Sequence, residues 1–371
     1  MAIRRFAVII AALVSLLSVP MGAAVAESGG VVEYRAQPAG WGGFENAYFV
    51  SYRTEGPTGA ATTATGAVFV PPGTAPDGGW PVVAWAHGTS GLGPTCGVTP
   101  SAAAGDGWIV ERLLSAGYAV ATPDYLGLGP GAETTHPYLQ SRTEATATID
   151  LVRAAVRSDD SLSSSWAVAG VSQGGHAALN AGHLASSYAP ELDFRGTVAM
   201  APASNFETVF ALAGPHVPSV DLLNALTPNL AALLGGLQLA DPDFPVRDYL
   251  TPSGQRLVAD LATKCVGAWG DSADGASIGS ILARPLGDPP FASRLSRYMA
   301  VPTAGYDRPI FVAHGVPDTT VPIPLTLALL AQFDAAGTRY EFRSYDSDHQ
   351  KITADSLPDA ITFLHKVLPA R

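Results

Sequence analysis

The sequence predicts an α/β fold, a mostly parallel central sheet flanked by helices, with a helical region inserted late in the chain. Three observations lead there. From Pro81 onward, short apolar runs alternate with longer helix-like ones, the β-α-β-α rhythm of a parallel sheet covered on both faces. A glycine-framed serine, Gly170-Val171-Ser172-Gln173-Gly174, stands directly between an apolar run and a helix-like stretch. The alternation then stops from Pro202 to Ala300 and resumes at Pro309.

The elements follow in order. Residues 31–35, 47–54 and 65–70 are rich in Val, Tyr and Phe and separated by Gly, Pro and Thr, which predicts opening strands that form an antiparallel edge. The alternating part is expected as strand 82–86, helix 108–116, strand 119–122, helix 138–156, strand 166–171, helix 174–185 and strand 196–201. Residues 202–300 mix Pro, Gly and apolar side chains without strand alternation, and are expected to form an inserted cap or lid. Their most lipophilic piece, 222–239, carries Pro228, Gly235, Gly236 and Gln238, so it suits a helical lid better than a membrane span. Ordinary helices packed over the sheet, with no role toward a substrate, are the plainer alternative. The sheet then resumes as strand 309–313, helix 325–336, strand 339–345 and helix 352–367.

The amino terminus reads as a secretion signal. Met1 to Arg5 is basic, Phe6 to Val19 is apolar, and Ala24-Val25-Ala26 supplies small residues for cleavage after Ala26. The apolar run is shorter than the roughly 20 residues of a spanning helix, which argues against a membrane anchor. The expected organisation is therefore a signal peptide at 1–26, a core at 27–201 and 301–371, and the cap at 202–300. The formal charge is −11, and about −13 once Arg4 and Arg5 are removed, so nucleic acid is excluded as an expected partner. Cys96 and Cys265 are the only cysteines. In an oxidising exterior an even pair is most simply one disulfide, here closing a loop of about 170 residues, and two buried free thiols are the alternative.

The serine motif carries the chemistry. A strained strand-to-helix turn tolerates only small residues two before and two after its serine, and Gly170 and Gly174 meet that demand. Ser172 would project from the turn, and the Gln173 backbone N–H would point to where an oxyanion forms. A serine hydroxyl needs an imidazole to take its proton and a carboxylate to hold that imidazole in one tautomer. Asp318 and His349 follow the strands ending at Ala313 and Tyr345, so both are expected at one edge of a parallel sheet. Asp318 as a turn or helix cap, and His349 as an ordinary loop histidine, are the structural alternatives. Asp346 and Asp348 are rival acids on the loop of His349, and an Asp-x-Asp calcium site there would lack further ligands. His176, His183 and His365 fall on helices, where structural roles are expected. A second oxyanion donor is expected from the loop His87-Gly88-Thr89-Ser90-Gly91, within Gly88 to Ser90 and with Thr89 preferred, unless that loop is only a tight turn.

Together these residues resemble the secretory lipase family of the α/β-hydrolases. The matching pieces are His87-Gly88-Thr89-x-Gly91, Pro123-Asp124-Tyr125-x-Gly127-Leu128-Gly129, His136-Pro137-Tyr138-Leu139, Gly170-x-Ser172-Gln173-Gly174-Gly175 and His314-Gly315-x-Pro317-Asp318-x-x-Val321-Pro322. The resemblance implies an α/β-hydrolase fold and a secreted carboxylester hydrolase, with Ser172 as nucleophile, Asp318 as acid and His349 as base. Val171 departs from the aromatic residue common beside the nucleophile in the family. Asp124 and Tyr125 are expected either to line the site or to hold their loop.

The expected activity is hydrolysis of acylglycerol or related lipid esters through an acyl-enzyme, with no metal or organic cofactor and with cap contact to a lipid interface. Short soluble esters, acyl transfer to an alcohol, peptide hydrolysis and a catalytically silent extracellular binding protein are the alternatives. An intact triad argues against the last, because binding alone does not need one.

Overall fold

The computed structural model describes residues 28–37, 41–100 and 106–370; the expected leader and its cleavage point lie outside them. The chain forms a nine-stranded sheet among these residues, in the order β1-β2-β3-β5-β4-β6-β7-β8-β9. Strands β1 (Val31–Ala36), β2 (Ala47–Glu55) and β3 (Ala61–Phe69) are antiparallel, and β3 joins β5 (Ala119–Pro123) antiparallel as well. All remaining neighbours are parallel: β4 (Trp80–Ala86) beside β5 and β6 (Leu162–Val171), then β7 (Asp193–Met200), β8 (Ile310–Gly315) and β9 (Tyr340–Tyr345). The expected antiparallel edge and parallel remainder are both present.

Strands β4 to β8 are nearly continuously apolar where they cross the core because they are buried on both faces, whereas the edge strand β9 is largely exposed. Val83 and Trp85 of β4 face one cluster, with Ile109 and Leu113 of α1 (Gly107–Ser115) and Leu357 and Phe363 of α12 (Ile352–Val367). Val82 and Ala84 face the other, with Ile149 and Val152 of α2 (Ser141–Ser158) and Ala178 and Ala181 of α3 (Gln173–Tyr188). Leu329 and Phe333 of α11 (Ile323–Ala336) cover Ile310 and Val312 of β8. That helix stops at Gly337, whose φ of 74° gives the left-handed turn that ends it.

Between β7 and β8 the chain leaves the sheet and builds helices of its own: α4 (Phe206–Phe210), α5 (Asp221–Asn224), α6 (Thr227–Ala240), α7 (Pro252–Leu261), α8 (Trp269–Ser272), α9 (Ile278–Ile281) and α10 (Pro289–Met299). They share a separate apolar cluster built on residues such as Leu230, Leu233, Leu261, Phe291 and Leu295. It reaches the sheet through Leu92, Tyr138, Leu139 and Val321. The lipophilic stretch 222–239 is broken into α5 and α6, with Pro228 in the first turn of α6, where a proline costs no hydrogen bond. About half of the apolar stretch within Asp221–Ala240 is buried within the protein.

Several expected boundaries move: β3 begins at Ala61 rather than 65, β6 at Leu162 rather than 166, and β7 at Asp193 rather than 196. The helix expected from 138 begins at Ser141, because Leu139 adopts a φ of 59° and turns the chain just before it. Tyr138 and Leu139 thereby become part of a cavity wall.

Candidate active site

Ser172 sits between β6 and α3 with φ 58° and ψ −119°, a region that a non-glycine residue rarely occupies. Two close approaches hold it there. A Cβ at Gly174 would overlap the Ala86 carbonyl oxygen, and one at Gly170 would overlap the Gly174 carbonyl oxygen. The two glycines are therefore required by contact between β6, β4 and the start of α3. The Ser172 N–H donates to the Met200 carbonyl at 2.9 Å, which pins the turn to the neighbouring strand.

The structure brings all three expected side chains together. His349 Nε2 lies 3.0 Å from Ser172 Oγ, and His349 Nδ1 lies 2.6 Å from Asp318 Oδ2. A carboxylate only accepts, so Nδ1 carries the proton and Nε2 faces the serine as an acceptor. The other oxygen of Asp318 accepts the N–H groups of Thr320 and Val321, each at 2.9 Å. Burial would raise the pKa of Asp318, but the His349 hydrogen bond, its charge and these two N–H groups outweigh it and hold the carboxyl below its usual value. Asp348 is not the partner of His349: its side chain accepts from the N–H groups of Gln350 and Lys351 at the start of the last helix. No cluster of metal-ligating side chains occurs among the described residues.

The loop after β4 lies against the serine. A Cβ added to Gly88 would stand 3.9 Å from Ser172 Cβ, and Thr89 borders the same cavity as Ser172 and His349. The Thr89 hydroxyl is 3.0 Å from Tyr138 OH, which also accepts from Asn229 of α6 at 3.2 Å. The His87 carbonyl accepts from Tyr125 OH at 3.1 Å, so Tyr125 supports this loop from behind. Asp124 is fully buried away from the cavity, accepting from the Thr65 hydroxyl at 2.5 Å, the Thr99 N–H at 2.7 Å and the Thr99 hydroxyl. Both residues thus hold loops, the structural of their two expected roles.

Cys96 and Cys265 form a disulfide. Beside it, the Leu92 N–H donates to the Lys264 carbonyl at 3.0 Å and the Val266 N–H to the Ser90 carbonyl at 2.8 Å. The inserted region is thereby stitched to the segment that follows Thr89. The cavity has a volume of about 800 Å³. Its wall combines apolar residues of the inserted region (Phe206, Phe210, Leu226) with polar groups (Thr89, Asn229, Gln350). That is the composition of a site for a largely apolar ligand with a few orienting groups.

The family model for secretory lipases matches residues 98–370. The chain belongs to the secretory lipase family. It is accordingly a carboxylic ester hydrolase of the lipolytic, α/β-hydrolase type. Among solved structures it is similar to Candida antarctica lipase A in its closed state, at a TM-score of 0.74 and 22% identity over 92% of this chain and 82% of that one. A ligand-bound form of the rice cell wall degrading esterase LipA from Xanthomonas oryzae aligns at a TM-score of 0.68 and 22% identity, covering 86% of this chain and 89% of that one. At such identities these structures speak for the fold. No curated protein matches the chain in sequence.

The sequence does not single out Glu144. It is fully buried on α2, and hydrogen bonds connect it to Gln173, His176 and Leu139. Its only sequence signal was its place just after His136-Pro137-Tyr138-Leu139, within the family-like segment.

Proposed function

We propose that this protein is a secreted serine lipase that cleaves acylglycerol or related lipid esters through a Ser172-His349-Asp318 triad. One observation carries the reading: the unbroken hydrogen-bonded chain from Ser172 Oγ through His349 to Asp318, beneath a strained elbow that exposes the serine to a cavity. His349 takes the Ser172 proton as the hydroxyl attacks the ester carbonyl. Asp318 stabilises the imidazolium that results. The N–H groups of Gln173 and Thr89 receive the oxyanion, a stabilisation worth about 10²- to 10³-fold per donor. His349 then protonates the leaving alcohol, and water activated by the same imidazole releases the acyl group.

Residues 202–300 act in this reading as a cap whose apolar inner wall receives the acyl chain. Leu212 and Leu222, both largely exposed, would meet a lipid surface. Secretion is supported by the leader-like residues 1–26 and by the disulfide, which suits an oxidising exterior.

A fluorophosphonate probe should label Ser172 in folded protein and leave Ser172→Ala unlabelled; no labelling of the wild type would overturn the assignment. A series of nitrophenyl esters together with emulsified triacylglycerol tests the substrate class. An optimum at two to four carbons without emulsion activity would instead favour a short soluble ester, and partition of the acyl group to added alcohol would favour acyl transfer.

A further inference from the structure

Behind the elbow lies a polar cluster that the triad does not use. Gln173 is the first residue of α3, so its N–H is one of the helix's unpaired amides, while its side chain turns inward and is buried. Gln173 Nε2 lies 2.8 Å from Glu144 Oε1 and 2.7 Å from His136 Nε2. His136 Nδ1 is 2.8 Å from the Leu126 carbonyl, so Nδ1 carries the proton and Nε2 accepts. Burial pulls the pKa of His136 down to about 4, which keeps the ring neutral and that acceptor available. Both partners of the amide are therefore acceptors, which fixes its orientation and uses both of its protons. Gln173 Oε1 finds no hydrogen-bond partner among the described residues. A buried amide with one end unsatisfied is a poor stabiliser of the fold. Its two good bonds serve to hold one residue in place.

Glu144 extends that grip. Oε1 also accepts the Leu139 N–H at 3.1 Å, on the turn that lines the cavity. Oε2 lies 2.7 Å from His176 Nδ1, one turn along α3, and His176 Nε2 lies 2.8 Å from the Met299 carbonyl at the end of α10. With acceptors on both ring nitrogens, the geometry favours the protonated form of His176 facing the Glu144 carboxylate. Burial opposes that charge, but the Glu144 charge and hydrogen bond and the Met299 carbonyl prevail and raise its pKa.

We propose that Glu144 is a positioning residue for the oxyanion site: by gripping the Gln173 side chain it fixes the peptide whose N–H stabilises the transition state. The inference rests on the role given to Gln173 above. An amide that must meet a developing charge gains only if it is held still beforehand, because its reorganisation would otherwise add to the barrier. The grip is therefore felt in turnover rather than in substrate binding.

The test compares Glu144→Ala and Glu144→Gln with the wild type, with every rate divided by the concentration of sites titrated by a fluorophosphonate. Glu144→Gln can keep all of the contacts, its oxygen accepting from Gln173 and Leu139 and its amide donating to a neutral His176. It should retain kcat within about threefold. Glu144→Ala should lose about 10²- to 10³-fold in kcat, with KM for a nitrophenyl ester little changed. Affinity for a trifluoromethyl ketone, whose adduct with the serine places an oxyanion in the site, should fall by a similar factor. A folded Glu144→Ala protein whose kcat and ketone affinity stay within about threefold of wild type would overturn the proposal, as would an equal loss in Glu144→Gln. Should Glu144→Ala not fold, Gln173→Leu removes the gripped side chain and keeps the backbone N–H; the same kcat loss supports the proposal and unchanged kcat refutes it. Failure of the triad reading would look different, since the wild type would then show no titratable Ser172.

Discussion

Replacing both cysteines, Cys96→Ser with Cys265→Ser, separates what the disulfide does for the whole chain from what it does for the site. The bridge spans 169 residues of sequence. By the chain-entropy account, closing a loop of that size removes about 5 kcal/mol of freedom from the unfolded chain. At about 2.1 cal/mol/K per residue, roughly 340 folded residues have an unfolding entropy near 0.7 kcal/mol/K, so Tm should fall by about 7 °C. The site should fare differently. The backbone bonds of Leu92 to Lys264 and Val266 to Ser90 remain after the bridge is gone, so the loop bearing Thr89 keeps its seat while the protein is folded. Nitrophenyl ester hydrolysis well below Tm should stay within about threefold of wild type, equivalent to about 0.6 kcal/mol in the barrier. Circular dichroism melts at one scan rate and initial rates on the same preparations measure both quantities. A Tm drop below about 2 °C would refute the entropic argument. Loss of activity far below Tm would show that the covalent link, and not the backbone pairing, holds the loop.

Further outcomes follow from the site. Asp318→Asn keeps the size of the side chain but can hold the wrong imidazole tautomer, so kcat should fall by about 10⁴-fold with folding intact, measured by rates per folded protein. Gly174→Ala should abolish activity and reduce soluble yield, because its Cβ would overlap the Ala86 carbonyl; a soluble variant of wild-type activity would contradict the close approach. The pair of His176 with Glu144 should be visible in stability against pH. A histidine whose folded pKa is raised contributes fully below its unfolded value near 6.5 and loses that contribution as pH rises through the folded value. Glu207 adds to the negative field around the ring. The Tm advantage of wild type over Glu144→Gln should therefore be largest near pH 5.5 and shrink toward pH 8.5; an advantage that grows with pH would contradict the ion pair.

Much of this architecture was legible because it is local. Strand β4 and the strand before Ser172 read as strands from uninterrupted apolar residues, and Gly170 and Gly174 signalled a turn whose contacts the structure supplies. Asp318 and His349 could be placed because a parallel sheet sends the ends of successive strands to one edge. Glu144 was not legible. Helix α2 is buried along nearly its whole length, Thr143 to Ala155, so its many threonines and charges show no solvent face, and a buried glutamate there looks like any surface one. Its meaning comes from Gln173 and His176, about 30 residues away, and no periodicity links them. The link between Cys265 and the loop after Thr89 was likewise open in sequence, since two cysteines specify a pair but not what else that pair joins.

The inserted region begins and ends at one place. Near its start the Ala203 N–H donates to the Ser172 carbonyl at 3.2 Å, and at its finish the Met299 carbonyl receives His176, one turn further along α3. A segment moored at both ends to a single helical turn can grow, shrink or be exchanged without changing the order of the strands. If the inserted region receives the acyl chain as proposed, grafting a different stretch between Ala203 and Met299 should alter ester preference, provided the graft preserves its two moorings. Without them, any change in selectivity would arrive together with a loosened Ser172.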